Sequence, residues 1–339
     1  MKNRNKLITF AILTATATGI VHVMNKVIAA SACLKEMLDT GNRHYYHWRF
    51  GDIYYTKKGK GSPILLLHDM LPGGSGYEWS RIEDELALEH TVYNIDLLGC
   101  GRSEKPGITY TNFVYVQIIC DFIKNVIGEK TDVIVSGYSG SFVVMACHNE
   151  KQLFNKIMMV NPPGMAGLKQ GPGKKDKALK YLLEVPVFGT LLYHMMVSRS
   201  AVSDLFIENI SFDPFHPDQD MMDAYYEAAH RGGCYAKALY ASKAAKYMNI
   251  DITRGLKNID NSLYIVEGEA ENNGQAITES YQAVNPSVEV FTIMETKHYP
   301  HVEAPEKFLE QVGIFFLQMQ MWMKENRDEE FSSPLFFVL

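Results

Sequence analysis

Short apolar runs alternate with amphipathic stretches along most of the chain, and this alternation predicts its secondary structure. The aromatic-rich segments 44–50 and 52–59 flank Gly51 and predict a β-hairpin. Six later apolar runs predict strands: "SPILLLHD", "TVYNID", "TDVIVSGY", "KIMMVNP", "SLYIVEG" and "VEVFTIME". Helical patterns lie between them, as in 111–127 and 140–149. Strands that alternate with helices predict an α/β fold with a doubly wound, mostly parallel sheet.

The alternation stops after Pro162, where the pattern becomes helical without strand candidates. We interpret 163–256 as a helical cap inserted into a core formed by 44–162 and 257–327, which the helical pattern at 305–326 closes. The cap is rich in methionine and tyrosine, which suits an apolar ligand, although the same residues could simply pack its helices together. They include Met195, Met196, Met221, Met222, Tyr225, Tyr226 and Tyr240.

The first 35 residues differ from the rest and predict a single-pass membrane anchor. Lys2, Arg4 and Lys6 precede a run without charged residues, Leu7–Met24, that is long enough to cross a bilayer of about 30 Å. More basic charge precedes this run than follows it, which predicts that the rest of the protein lies on the extracytoplasmic side of the membrane. A cleaved signal peptide is the alternative, because small residues precede Cys33.

Composition narrows the possible functions. The chain has 339 residues and a net charge of -6, and it has no basic patch or motif for nucleic acid. Its five cysteines are scattered and form no CxxC pair, so the sequence predicts neither a disulfide framework nor a zinc site. We expect chemistry without a metal or a cofactor, and the oligomeric state stays open.

The segment "VIVSGYSGSF" offers three serines at a predicted turn from strand to helix. A nucleophile on such a strained turn needs small residues two positions before and after it. Ser139, between Gly137 and Ser141, meets this requirement better than Ser136 or Ser141 does. The segment therefore favours Ser139 as a nucleophile.

A serine nucleophile needs a histidine base and a carboxylate that orients the histidine. Two later strand ends supply both at the same predicted edge of the sheet, since Glu269 and Glu271 follow Gly268 and His298 follows the last strand. Glu271 has the longer reach of the two acids. His301 is the competing histidine, and we expect it to pack or cap the helix that follows.

These motifs together resemble the α/β-hydrolase superfamily. "LLLHD" with "GGSGYEW" is similar to its HG loop, "IDLLGCGRSEKP" to its DxxGxGxSxxP segment, "SGYSGS" to its nucleophile turn, and "KHYPHVEAPEKF" to its last motif. The resemblance implies Ser139 as nucleophile, His298 as base and Glu271 as acid. It also implies an oxyanion hole formed by the backbone N–H groups of Met70 and Gly140.

Three residues depart from the family pattern. Asp69 replaces the glycine of the HG pair, Ser141 replaces a turn glycine, and the acid is a glutamate. Asp69 matters most, because a carboxylate that points inward would oppose the negative charge that develops in an oxyanion hole.

The sequence therefore predicts a carboxylic-ester hydrolase that cleaves a small apolar or acyl-chain ester through an acyl-enzyme on Ser139. A weakly active member that binds an apolar ligand, or a hydrolase of peptide, thioester or C–C bonds, is the alternative. Dehalogenase chemistry is disfavoured, since it requires an aspartate at the nucleophile turn and this chain has Ser139 there.

Overall fold

An eight-stranded sheet forms the centre of the protein. The computed structural model describes residues 2–39 and 41–317. All eight predicted strands are present, in the order β1-β2-β4-β3-β5-β6-β7-β8 across the sheet. Their bounds are β1 His44–Trp48, β2 Gly51–Lys58, β3 Ser62–Leu67, β4 His90–Ile95, β5 Thr131–Ser136, β6 Phe154–Val160, β7 Leu263–Gly268 and β8 Glu289–Ile293.

The sheet is mostly parallel, as the alternation predicts. The hairpin β1–β2 is antiparallel, β2 also pairs antiparallel with β4, and every other neighbouring pair is parallel. Parallel strands end at the same edge of a sheet. The turns after β3, β5 and β7 therefore meet above one edge, together with the loop that follows β8.

Fourteen α-helices lie in the described residues. They are α1 Lys2–Ala32, α2 Glu83–Leu86, α3 Asn112–Phe122, α4 Gly140–Asn149, α5 Met165–Leu168, α6 Lys174–Glu184, α7 Phe188–Met196, α8 Arg199–Leu205, α9 Gln219–His230, α10 Lys237–Ala244, α11 Thr253–Lys257, α12 Gly274–Val284, α13 Pro300–Glu303 and α14 Pro305–Val312. Helix α4 follows β5 directly, which is where the sequence predicts a helix. The part of the predicted core that spans 318–327 lies outside the described residues.

Successive residues of the central strands face opposite sides of the sheet, and both sides are covered. Leu65 and Leu67 of β3 join one buried cluster, which includes Phe142 of α4. Ile64 and Leu66 join another, which includes Phe308 of α14. This period of two explains why the strand reads as an unbroken apolar run, since each of its faces is buried under helices.

Seven helices, α5 to α11, lie between β6 and β7, and none of the residues from 163 to 256 forms a strand. We call this helical segment the cap. Its α9 packs near the end of the core loop after β8, since Met221 and Tyr225 share a buried cluster with Tyr299. The cap therefore covers the carboxyl edge of the sheet.

Helix α1 is long and contacts the cap at its C-terminal end. Asn25 donates a hydrogen bond of 2.9 Å to the Val187 carbonyl, and Lys35, just beyond the helix, lies 2.5 Å from Asp223 of α9. Side chains nearer the N-terminus, such as Phe10, are exposed. Residues 9–32 are apolar and long enough to cross a membrane, with a mean hydropathy of 1.3.

Candidate active site

The strained position of the turn after β5 is Gly137. It has φ +50°, whereas Ser139 has the helical values φ −62° and ψ −23°. A Cβ at Gly137 would lie 2.2 Å from Cγ of Asp69, so no side chain fits there while Asp69 keeps its place. The next residue, Tyr138, supplies an inward-pointing N–H, which is the role of the residue after the nucleophile in this kind of turn. Gly137, rather than Ser139, therefore has the positive φ at this turn, and its neighbour Tyr138 donates to Asp69.

The structure does not bring Ser139 to His298. Its side chain is fully buried, and its Oγ donates a 2.6 Å hydrogen bond to the His68 carbonyl. The Ser141 hydroxyl likewise donates to the Tyr138 carbonyl, at 2.7 Å, and Ser136 donates to Glu78. These three hydroxyls thus have protein acceptors, and none of the hydrogen bonds between described residues joins them to His298.

The implied role of Gly140 also needs correction. Its N–H points back into the first helical turn and donates to the Gly137 carbonyl. This is the ordinary bond of a helix that begins at this residue, so the group is not available as an oxyanion donor. The N–H that points to the same oxygen as the N–H of Met70 belongs instead to Tyr138, two residues earlier in the chain.

Asp69 fills the space that Gly137 leaves. It follows β3, is 2% exposed, and its Oδ1 accepts hydrogen bonds from the N–H groups of Met70 at 2.6 Å and Tyr138 at 2.7 Å. Its Oδ2 lies 3.1 Å from Nε2 of His298. The implied donor Met70 is thus in place, but the oxygen that it binds belongs to the protein.

His298 lies between two carboxylates. Its Nδ1 is 3.0 Å from Glu271 Oε2, and its Nε2 contacts Asp69. Burial opposes the charged imidazolium, but hydrogen bonds and charge from Asp69 and Glu271 outweigh it and raise the pKa of His298 to about 10. In this arrangement His298 carries a proton at neutral pH.

The charge of Asp69 is stabilised by its surroundings. Burial alone would raise the pKa of this carboxyl group, but the hydrogen bond with His298, the charge of Lys243 and the N–H of Tyr138 lower it. Lys243 is a cap residue on α10, and its Nζ donates to the Met70 carbonyl at 2.5 Å. Asp69 is therefore an ionised carboxylate at neutral pH.

The structure separates the competing acid and histidine from this site. Glu269 accepts a hydrogen bond from the N–H of Glu295 at 3.0 Å and is exposed. His301 is fully buried, stacks on Trp79 with ring centroids 4.3 Å apart, and lies 3.3 Å from Glu78. The pair that contacts is His298 with Glu271.

A rigid network holds the two loops beneath the site. Glu78 Oε2 accepts from the N–H of Asp69 at 3.0 Å, and the ring of His68 bonds to the Asp69 carbonyl at 2.7 Å. Asp96 and Arg102 form a buried ion pair at 2.6 Å, which holds the pKa of Asp96 to about 2 against the effect of burial. These bonds fix the backbone that carries Asp69.

Sequence reasoning missed Glu78, Lys243 and the N–H of Tyr138. Glu78 and Lys243 lie in no motif, and their proximity depends on the fold of the loop and on the cap. The N–H of Tyr138 gave no clear signal either, because Gly137 satisfies the small-neighbour requirement for Ser139; the one signal was Asp69, which stands where the family pattern has glycine.

The cap closes the site closely. A cavity of about 30 Å³ lies beside Met70 and Lys243, with Tyr193 and Tyr240 in its wall. This volume is enough for one or two water molecules. Among the described residues, no group of three or more His, Cys, Asp or Glu side chains is placed to hold a metal ion.

The strand order and the His298–Glu271 pair at the carboxyl edge are those of a hydrolase with an α/β fold. The sequence pattern of the alpha/beta hydrolase family matches residues 64–311, and the chain belongs to that family.

Two curated relatives match parts of the chain. The 2-hydroxy-6-oxo-6-(2'-aminophenyl)hexa-2,4-dienoic acid hydrolase of Metapseudomonas resinovorans is 28% identical over 116 residues, which is 33% of this chain. The soluble epoxide hydrolase of Corynebacterium sp. (strain C12) is 27% identical over 114 residues, again 33% of this chain. The match spans 39% of the length of each of these relatives.

Solved structures share the fold over most of the chain. The epoxide hydrolase CorEH has a TM-score of 0.65 at 18% identity and covers 82% of this chain and 99% of its own. A membrane phospholipase A has a TM-score of 0.63 at 16% identity, with 92% of this chain and 97% of its own covered. At these identities the likeness shows the fold alone.

Proposed function

We propose that this hydrolase opens epoxides of apolar molecules, with Asp69 as the nucleophile. One observation carries the proposal, namely that the Asp69 carboxylate occupies the space of the missing side chain at Gly137 and contacts Met70, Tyr138 and His298. Aspartate is an established type of covalent nucleophile. Oδ1 is held by two N–H donors, which leaves Oδ2 for attack.

In the first step, Oδ2 of Asp69 attacks a saturated ring carbon of the epoxide. A C–O bond to Asp69 forms, the C–O bond of the epoxide breaks, and the oxygen that leaves takes the proton of His298. A protonated histidine beside the nucleophile favours an epoxide over an alkyl halide, because an alkoxide needs this proton and a halide does not.

In the second step, water hydrolyses the ester on Asp69. Esterification removes one of the two negative charges beside His298, so the pKa of the histidine falls and the neutral ring can act as a base. It takes a proton from water, which attacks Cγ, and Met70 and Tyr138 hold the charge that develops on Oδ1. The intermediate then releases a diol and restores the Asp69 carboxylate and the protonated His298.

Ester hydrolysis through Ser139 receives less support from this geometry. The hydroxyl would have to leave the His68 carbonyl, and His298 would have to leave Asp69. The oxyanion of an ester substrate would also find its two N–H donors occupied by Oδ1. The sequence disfavours attack by an aspartate, because the nucleophile turn after β5 has Ser139. This objection does not apply to Asp69, whose carboxylate reaches the site from the loop after β3.

One of the comparisons supports an epoxide as the substrate class. A named soluble epoxide hydrolase is among the curated relatives, which also include hydrolases of other substrates. The apolar helix over residues 9–32 supports a further part of the proposal, in which α1 anchors the protein in a membrane with its body on the extracytoplasmic side. Apolar epoxides partition into such a membrane and would be concentrated near the enzyme.

The ester intermediate provides the test. His298→Gln removes the proton donor of the first step and the base of the second but keeps the nucleophile, so the ester should form slowly, with water as the source of the proton, and should then persist. Prolonged incubation with styrene oxide should therefore raise the mass of the protein by that of one epoxide. Peptide mapping should place the adduct on Asp69. The matched control His216→Gln changes an exposed histidine and should not accumulate the adduct. An adduct on Ser139, or none on the folded variant, would contradict the proposal.

A further inference from the structure

A second, larger cavity lies between helix α1 and the cap. Its volume is about 990 Å³, and its walls include Asn25 and Ala29 of α1, Val187, and His194 of α7. It shares no described lining residue with the small cavity beside Met70; Tyr193 of α7 lines the small cavity, and the next residue, His194, lines this one. The larger cavity is therefore distinct from the site of the proposed epoxide chemistry.

Buried polar atoms in this cavity have no partner among the described residues. His194 is 3% exposed, and neither of its ring nitrogens makes a hydrogen bond; the same holds for Oδ1 of Asn25, which is 6% exposed. Burial, with the neighbouring ring of His230, lowers the pKa of His194 to about 4. The neutral ring thus presents one N–H donor and one acceptor. Buried groups of this kind are normally satisfied, so they indicate a place for a polar ligand group.

A strained turn borders the same cavity. Val187 has φ +63° and ψ −63°, and the Phe188 N–H donates to the Pro186 carbonyl at 2.7 Å, which makes a γ-turn. A β-branched residue rarely adopts this conformation. Asn25 holds the turn through its bond to the Val187 carbonyl. Such strain is often kept where a ligand is clamped.

The charged residues around the cavity favour an anion. Lys26, Lys180 and Lys237 line it, and Glu184 is the carboxylate among the described lining residues. Glu184 already pairs with Lys180. Lys237 reaches the carbonyls of Glu184 and Val185 at the end of α6, at 3.3 and 2.9 Å. The excess of positive charge is complementary to a negatively charged headgroup.

An apolar furrow along α1 leads to this cavity. It is lined by Phe10, Thr14 and Thr18 among others, and it shares His22 and Val187 with the cavity. From His22 back to Phe10 the helix is about 18 Å long. The furrow thus offers an apolar path from the part of α1 that is long and apolar enough to cross a membrane.

We propose that this cavity binds the carboxylate head of a long-chain fatty acid, with the alkyl chain along α1. His194 offers its N–H to the head, and the surrounding lysines supply the charge. A carboxylate fits better than a phosphate, because the neutral His194 ring has a single N–H and no arginine is among the described lining residues. The site is independent of the chemistry at Asp69.

The test uses the full chain in phosphatidylcholine nanodiscs and palmitate with a diazirine at its terminal carbon. We expect saturable crosslinking to residues 10–19 of α1, with unlabelled palmitate at least tenfold more effective as a competitor than hexadecanol. His194→Phe keeps the ring but removes both nitrogens, and it should reduce the saturable crosslinking at least tenfold. The exposed control His216→Phe should not.

Two further measurements keep the test decisive. Without palmitate, His194→Phe should unfold at the same temperature as the wild type or higher, since it removes unpaired buried nitrogens. If His194 had only a packing role, the variant would not keep its unfolding temperature and at the same time lose palmitate binding. Ala29→Trp fills the cavity from α1 and should also abolish the saturable crosslinking. Equal competition by hexadecanol, or unchanged crosslinking in His194→Phe or in Ala29→Trp, would overturn the proposal.

Discussion

The turns after β5 and β3 face each other at the carboxyl edge of the sheet. Gly137 in the first turn has no side chain, and the carboxylate of Asp69 in the second turn fills that space. The turn after β5 has Gly137 at its strained position, and the turn after β3 has Asp69 where the family pattern has glycine. Together these two turns place a carboxylate between two N–H donors and His298. In the proposed mechanism, a functional group thus keeps its place in space while its position in the chain changes.

The largest effect should come from removing the carboxylate rather than the buried hydroxyl. Asp69→Asn keeps the size of the side chain but loses the nucleophile, so hydrolysis of styrene oxide should fall by about 10³-fold or more. Ser139→Ala should change it by about threefold at most, because Ser139 bonds to a carbonyl outside the proposed chemistry. Steady-state kinetics checks both variants. The opposite ranking, in proteins with unchanged unfolding curves, would return the nucleophile to Ser139.

A side chain restored at Gly137 should disturb the fold unless Asp69 is removed as well. Gly137→Ser combines a positive φ with a clash against the carboxylate and should lower the free energy of unfolding by about 2–4 kcal/mol. Asp69→Gly in the same chain should recover at least half of this loss, and the new serine should react with a fluorophosphonate probe. Denaturant unfolding and probe labelling measure the two effects.

Gly128 provides a matched control for this exchange. It has φ +80° with no atom near its missing Cβ, so Gly128→Ser carries the backbone strain without the clash and should cost about 1 kcal/mol. Equal losses for Gly137→Ser and Gly128→Ser would mean that Asp69 does not occupy the space at Gly137.

A smaller effect concerns the dependence of stability on pH. The pKa of His298 is raised from 6.5 to about 10, so its stabilising contribution is complete below pH 6.5 and is lost as the pH rises through 10. Asp69 acts in the opposite direction. Its pKa is lowered, so its stabilising contribution is present above the usual pKa of an aspartate and is lost as the pH falls through the lowered pKa.

The measurement is the free energy of unfolding of the wild type minus that of His298→Gln, between pH 6 and 10. This difference should decrease with rising pH, and it should decrease less when Asp69→Asn is present in both proteins, because one of the two carboxylates that raise the pKa is then absent. A difference that does not change with pH would contradict the protonated state of His298.

The fold was largely predictable because the buried strands leave a strong apolar signal. The strands "SPILLL" and "TDVIVS" are covered on both faces, so β3 and β5 contain the continuous apolar runs "PILLL" and "VIV". His298 and Glu271 were predictable for a related reason, since both follow strands that end at the same edge.

The proposed nucleophile was not predictable from local pattern. The small-neighbour requirement selects Ser139, whereas the residue with a positive φ is Gly137, and Val135 rather than a small residue precedes it by two positions. That Asp69 points inward depends on Tyr138 and His298, which lie 69 and 229 residues away in the chain. Such contacts exist only in the folded protein.

In the proposed mechanism the Asp69 carboxylate supplies the oxygen that is transferred to the substrate, and the direct test of this step is a single turnover in H₂¹⁸O. With enzyme in excess over styrene oxide, the first diol should carry no ¹⁸O, and the peptide that contains Asp69 should gain one ¹⁸O atom by mass spectrometry. Ser139→Ala should give the same result. A first diol that carries ¹⁸O, together with an unlabelled Asp69 peptide, would contradict the account.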